Sequence, residues 1–333
     1  MAAGSRPGST LGGFVARRMF SMVLVLFAVS VITFLIFNVI PNGDPAVRMA
    51  GKQPTEQQIE AIREEWEFDE PLPVQYWTTM EKLLTGDLVS YFTGLNVTDE
   101  IWKGLPRTLS LAIGAAVIWA LVGVGLGLLG AVRAGRVSDR LLTVLALVGV
   151  SMPVFWIGAL MNHYLGFELS RTLGFDLFPN GGYVELTADP LGWLHHLLLP
   201  WAALSILFVG IYSRIVRADA LEAMGEDYVR TARAKGVSER RLWLRHVLRS
   251  SLVPVVTVWG LDFAVVIGGG AILTETVFDL QGVGQYTADA VGQLDLPPLL
   301  GVTMLGAFFV VVVNTAVDVA YAALDPRIRL GDS

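Results

Sequence analysis

Apolar and polar stretches alternate along this chain on the scale of a bilayer rather than of a soluble core. Six apolar runs stand out, at 19–40, 108–132, 141–167, 191–212, 255–273 and 299–322. Each is close to the ~20 residues that a helix needs to cross a hydrocarbon layer. The pattern therefore predicts an all-α polytopic membrane protein with six transmembrane helices. The third run is interrupted by Ser151, Met152 and Pro153, and a proline inside a span frees a carbonyl and kinks the helix. In the second run Gly123 and Gly127 form G-x-x-x-G, the small-residue spacing that lets two membrane helices approach closely. Gly125, Gly127 and Gly130 also spell G-x-G-x-x-G, but a dinucleotide site needs a strand before that motif, and here it lies inside apolar helix.

The polar stretches are short except for two. Segment 41–106 predicts a helical insert after the first span. Thr55 and Gln58 can form a capping box for a helix with Ile59, Ile62 and Trp66 on one stripe. Pro73 can open a second helix with Tyr76, Met80 and Leu83 on one face. Segment 218–252 is the longest polar stretch of the second half. Glu226 and Asp227 open a short helix, Arg230, Arg233 and Lys235 lie towards its end, and Gly236 follows. Acids first and bases last suit the helix dipole, and glycine supplies the left-handed stop. Ser238 is placed to N-cap a following helix with Glu239 in its first turn.

Charge orients the spans. The 333 residues are 53% hydrophobic and 16% charged, with net charge −6 and mean hydropathy +0.57. Segments 1–18, 133–140, 213–254 and 323–333 hold 17 Lys/Arg and 8 acids, whereas 42–106, 168–190 and 275–298 hold 6 Lys/Arg and 20 acids. By the positive-inside rule both termini and segment 218–252 are cytoplasmic and segment 41–106 is extracytoplasmic. The first run is too long for a signal-peptide core and lacks a small-x-small site before Pro41, so it reads as an uncleaved span. The organisation is then a cytoplasmic start at 1–18, a first helix at 19–40, the insert at 41–106, a five-helix core at 107–322 and a cytoplasmic tail at 323–333, all in a cell membrane.

Candidate chemistry is sparse. Cysteine is absent, which removes disulfides and thiolate chemistry. No G-x-x-x-x-G-K-[ST], H-E-x-x-H or G-x-S-x-G occurs, so neither ATP binding by a P-loop nor those hydrolytic sites is encoded. Adjacent His195 and His196 cannot point the same way on a helix and make a poor metal pair. No cofactor, metal or catalytic residue is assigned. Asp262 lies in mid-span, Asp318 near a span end, and Asn162 is a polar position of the third run; Asp262 and Asn162 are candidates for a translocation pathway. Ion-coupled secondary transport is the alternative, because such proteins carry ionisable groups at membrane depth. A nucleic-acid-binding helix-turn-helix at 225–254 has the charge but not the freedom, since spans begin within a few residues on either side.

The order D-Y-V-R-T-A-R-A-K-G at 227–236 resembles the EAA coupling loop of ABC importer permeases, in the version found in the dipeptide/oligopeptide/nickel permease family. P-x-G-D-P at 41–45, D-x-P-x-x-x-Q-Y within 69–76 followed by G-D-L at 86–88, S-x-P-x-F-W at 151–156, E-x-x-F-x-x-x-G-x-G at 275–284 and L-D-P-R-I-R at 324–329 are similar to family signatures in the same order. Arg249 and Val89 stand where the family often has proline and glycine. The resemblance implies a permease subunit that pairs with a second homologous permease. Two ABC ATPase subunits then dock beneath, and an extracytoplasmic binding protein delivers a peptide or another small solute. It also implies an ATPase-coupling role for Glu226, Asp227, Tyr228, Thr231, Ala232, Arg233, Ala234 and Gly236.

Overall fold

The computed structural model describes residues 11–36, 44, 46–47, 50, 55–293 and 295–324. Helices run in the order α1 (Leu11–Phe34), α2 (Glu56–Glu65), α3 (Leu72–Thr85), α4 (Val97–Val132), α5 (Val137–Ser151), α6 (Val154–Met161), α7 (Pro190–Gly225), α8 (Asp227–Ala234), α9 (Leu248–Val265), α10 (Ile272–Val277), α11 (Val283–Gln293) and α12 (Leu296–Leu324). Three π-helical stretches, Asn162–Glu168, Leu242–Val247 and Val266–Gly270, lie between them. Strand pairing among the described residues is limited to one antiparallel bridge between Val89 and Asn96. Four helices are long and apolar enough to cross a membrane, or up to six if each of two bent helix pairs is one span. Most of the P-x-G-D-P turn, the end of the first predicted span and the tail beyond Leu324 lie outside the described residues.

The chain divides into two compact units, 1–101 with 289–333, and 102–288. In the first, α1 packs along α12. The predicted capping box of α2 is present: Gln58 N–H donates to Thr55 Oγ1 at 3.3 Å, and Thr55 N–H to Gln58 Oε1 at 3.0 Å. Trp66 is buried under the Lys82 ammonium, 4.0 Å from the ring centroid, and Met80 is buried on α3. The α3 helix is tied to α1 by Tyr76, whose hydroxyl lies 2.7 Å from Ser30 Oγ and whose ring meets Phe27 and Phe34 edge-on. Buried Asp295 accepts from Ser90 Oγ at 2.5 Å and from Tyr91 N–H at 3.1 Å. Burial, and then the charge of Asp295, push the Tyr91 phenol well above its ordinary range.

The second unit is built on α4 and α7. Leu111, Ala112, Ala115, Ala116 and Trp119 form a buried stripe on α4 that meets Leu204, Tyr212 and Val216 of α7. A Cβ at Gly123 would lie 2.7 Å from that of Tyr212, and one at Gly127 would lie 2.6 Å from Ser213 O. The G-x-x-x-G pair thus does what its spacing predicts. Polar side chains add ties to α4 carbonyls: Trp201 Nε1 to Ser110 O at 2.9 Å, Ser205 Oγ to Ala115 O at 3.1 Å and Trp259 Nε1 to Ala116 O at 3.1 Å.

Several elements differ from the sequence pattern, among them α1, which starts at Leu11 inside the expected cytoplasmic start, and α9, which starts at Leu248 rather than at 255. The α4 helix starts at Val97, not after Pro106, because Asn96 Oδ1 caps it by accepting from Asp99 N–H at 3.1 Å and Asp99 and Glu100 favour its positive end. The α7 helix continues through the polar residues up to Gly225. The third run is broken rather than kinked: Val137–Ser151 and Val154–Leu173 meet at 100°. Met152 is extended (φ −93°, ψ 136°), as a residue before proline tends to be.

Candidate functional site

The α8 helix has two unlike faces. Glu226 occupies its N-cap position without a side-chain cap bond. Val229 and Ala232 face inward and are buried with Ala131, Ala220, Ala223, Leu242 and Val247. Tyr228, Arg230, Thr231, Arg233, Ala234 and Lys235 are exposed. The helix ends in a Schellman arrangement: Gly236 N–H donates to Arg233 O at 3.0 Å and Val237 N–H to Ala232 O at 3.2 Å, with Gly236 at φ +77°. Arg233 bridges the turn, its Nε donating to Glu239 Oε1 at 2.8 Å. Ser238 stands at the N-cap of the next helical turn, but its hydroxyl makes no cap bond.

Of the eight coupling residues named from the sequence, Glu226, Asp227, Tyr228, Thr231, Arg233, Ala234 and Gly236 are exposed, and Ala232 is buried against its own chain. Sequence reasoning missed the element that braces this end. Arg217, near the end of α7, holds buried Asp139, in the first turn of α5, with two hydrogen bonds. Gly135 N–H also donates to Asp139 Oδ2 at 2.9 Å. The available signal was one acid among Arg133, Arg136 and Arg140 in a short loop.

The two pathway candidates have separate partners. Asp262 on α9 is partly buried, and its Oδ2 accepts from the Tyr212 hydroxyl at 2.8 Å. Tyr212 and Trp119 are fully buried. Asn162 opens a π-helical stretch and its Nδ2 donates to Val277 O at 3.3 Å.

The E-x-x-F-x-x-x-G-x-G stretch folds on itself. Glu275 is fully buried and its Oε2 accepts from Gln285 N–H at 3.0 Å. A Cβ at Gly282 would run into Glu275 Oε2, and one at Gly284 would stand 3.0 Å from the Glu275 carboxyl carbon. Val283 N–H donates to Thr108 Oγ1 at 2.9 Å. Phe278 is fully buried and its carbonyl accepts from Gly182 N–H at 2.8 Å. Burial raises the Glu275 carboxyl above its ordinary value, against the opposing hydrogen bonds from Thr108, Gln285 and Gly284.

Residues 123–330 match the model of the binding-protein-dependent transport system inner membrane component, and residues 11–112 match the model of its N-terminal region. The chain is 38% identical to the probable peptide ABC transporter permease protein y4tP of Sinorhizobium fredii, over 96% of this chain and 100% of that one. It is 36% identical to the probable D,D-dipeptide transport system permease protein DdpB of Escherichia coli, over 97% and 99%. A glutathione transport system permease protein, GsiC of Escherichia coli, is 36% identical over 95% and 98%. Among solved structures, an inward-facing crystal form of the MetNI methionine ABC transporter aligns at TM-score 0.54 and 16% identity, covering 68% of this chain and 96% of that chain.

Proposed function

Because this chain belongs to the binding-protein-dependent transport system inner membrane component family, we propose that it forms one half of a translocation pathway for di- or oligopeptides. It is a multi-pass inner-membrane permease of an ABC importer and not itself an enzyme. ATP is hydrolysed in separate subunits, and a substrate-binding protein supplies the cargo, so ion-coupled transport is not needed to drive it. The peptide assignment draws on relatives named for peptide, D,D-dipeptide and glutathione transport.

A second, homologous but non-identical permease subunit completes the pathway, with Asp262 and Asn162 of this chain on its wall. Both termini and segment 218–252 face the cytoplasm and the insert at 41–106 faces outward, as the Lys/Arg distribution favours. Glu226, Asp227, Tyr228, Thr231, Ala232, Arg233, Ala234 and Gly236 make up the element that meets an ATPase subunit. The observation that carries this assignment is the division of α8 into an inner face locked by Val229 and Ala232 and an outer face bearing Tyr228 and Thr231. A partner that moves the outer face moves the ends of α4 and α7 with it, through Ala131, Ala220 and Ala223. Tyrosine is a common interface anchor, and the flanking arginines set register against acids on a partner. In the reconstituted complex, Tyr228→Ala is expected to lose cargo-stimulated ATP hydrolysis while this chain still inserts and folds. Full stimulation in that variant, with the ATPase stoichiometrically bound, would show that Tyr228 takes no part in coupling.

A further inference from the structure

The six apolar runs contain no Lys or Arg, and their charged residues are two acids, Asp262 and Asp318. Asp262 is therefore a carboxylate at membrane depth with no cation of its own chain in any run to answer it. One of its oxygens is held by Tyr212 at 2.8 Å, on a phenol fixed in the core with Trp119. The residue is only partly buried, and its α9 neighbours Leu261 and Val265 are 47% and 60% exposed. A carboxylate turned towards lipid costs several kcal/mol, which is why intramembrane acids face a bundle interior or a water-filled cavity. An open side facing a wet path, with a mobile cation to balance the charge there, removes that cost.

We propose that Asp262, oriented by Tyr212, is a subsite for a primary ammonium group of the passing cargo. This rests on the reading of the chain as a peptide permease: a peptide brings such a group as its N-terminus or as a cationic side chain. Tyr212 takes up Oδ2 and leaves Oδ1 as the acceptor. The subsite attracts the cationic end of the cargo without a rigid pocket, which suits a path that must also release what it binds.

The chain has no cysteine, so a single reporter can be placed cleanly. Val265→Cys lies one helical turn from Asp262. In the assembled complex in membranes, its modification by a cationic ethylammonium thiosulfonate is expected to outpace that by an anionic ethylsulfonate reagent by about tenfold or more. The preference should collapse towards unity in Asp262→Asn, which retains an oxygen for Tyr212, and persist in Asp262→Glu. Equal rates with Asp262 present, an unchanged preference in Asp262→Asn, or no labelling of Val265→Cys by either reagent would overturn the subsite. Uptake in proteoliposomes separates the two sources of ammonium. A free-amine peptide without lysine should lose rate in Asp262→Asn if the N-terminus binds. Only an N-acetylated lysine peptide should do so if the side chain binds. Transport of neither peptide by the wild-type complex refutes the peptide reading while leaving the labelling result to judge the subsite.

Discussion

Arg217 grips Asp139 with both arms of its guanidinium, Nε donating to Oδ1 at 2.6 Å and Nη2 to Oδ2 at 2.8 Å. The fork joins the end of α7 to the start of α5, beside the cluster that seats α8. Asp139→Ala leaves the guanidinium without its carboxylate; Arg217→Lys keeps a charge but cannot make the fork. Both are expected to lower the thermal midpoint of the detergent-solubilised complex and to weaken cargo-stimulated ATP hydrolysis, Asp139→Ala more so. Wild-type midpoint and stimulation in Asp139→Ala would leave the pair without a mechanical role.

Gly282→Ala should destabilise the protein by about 1–3 kcal/mol, the usual cost of overpacking, because the added methyl group meets the Glu275 carboxylate. In a Glu275→Ala background the same change should cost less, the remaining obstacle being Thr108 Oγ1 at 2.7 Å. Thermal unfolding of the four members of this cycle provides the check, and strictly additive effects would contradict the contact.

The raised carboxyl of Glu275 makes stability depend on pH with a defined sign. The folded protein holds this proton more tightly than the unfolded chain, whose carboxyl titrates at the ordinary glutamate value of 4.5. The contribution is therefore complete below that value and is lost as pH rises through the higher folded-state value. The thermal midpoint should fall over this window, and Glu275→Gln should flatten that part of the profile. An identical profile in the variant is the contrary outcome.

At Gly236, φ is +77° and a Cβ would meet nothing within 4 Å. Gly236→Val is thus a test of backbone strain alone, expected at about 1–2 kcal/mol, felt by the α8 turn. The chain should still insert in the membrane, with stimulated ATP hydrolysis reduced. Limited proteolysis between 225 and 245 should rise in the variant; unaltered cleavage there would argue against strain at this turn.

Topology can be read with single cysteines. Ser170 would suit an outside label by sequence, but it is buried; Thr172 is exposed. Thr172→Cys should react with an impermeant thiol reagent in intact cells, and Ser238→Cys only after permeabilisation. External labelling at Ser238 would reverse the orientation.

Much of this architecture was readable from local rules. The α2 capping box, the glycine stop at Gly236 and the close-packing glycines Gly123 and Gly127 depend on residues near in sequence or on one helix face, and each is present in the structure. The 97–106 start of α4 was hidden because polar residues and Pro106 resemble a loop, and only the Asn96 cap betrays it. The break at Met152 was read as a kink because proline chemistry alone does not set the angle; the packing of α5 and α6 against α7 does. The family resemblance gives Ala232 a coupling role beside residues that the structure leaves exposed, and a small side chain suits any close contact. Only tertiary packing shows that its contact is with its own chain. The Arg217–Asp139 fork joins residues far apart in sequence, beyond the reach of spacing arguments.

The crowding of Glu275 against Gly282 and Gly284 also imposes an order on mutational history. While the carboxylate is in place, neither glycine can gain even a methyl group without displacing it. If the glutamate is first shortened, the main obstacle at 282 goes and only Thr108 Oγ1, at 2.7 Å, remains, whereas at 284 the Ile272 Cα, at 2.9 Å, still excludes a methyl group. A lineage drifting away from this arrangement must therefore change position 275 before 282, and one returning to it must restore Gly282 first. Positions 275 and 282, which look independent on paper, are one sequential lock, and homologues carrying alanine at 282 should be found with a smaller residue at 275.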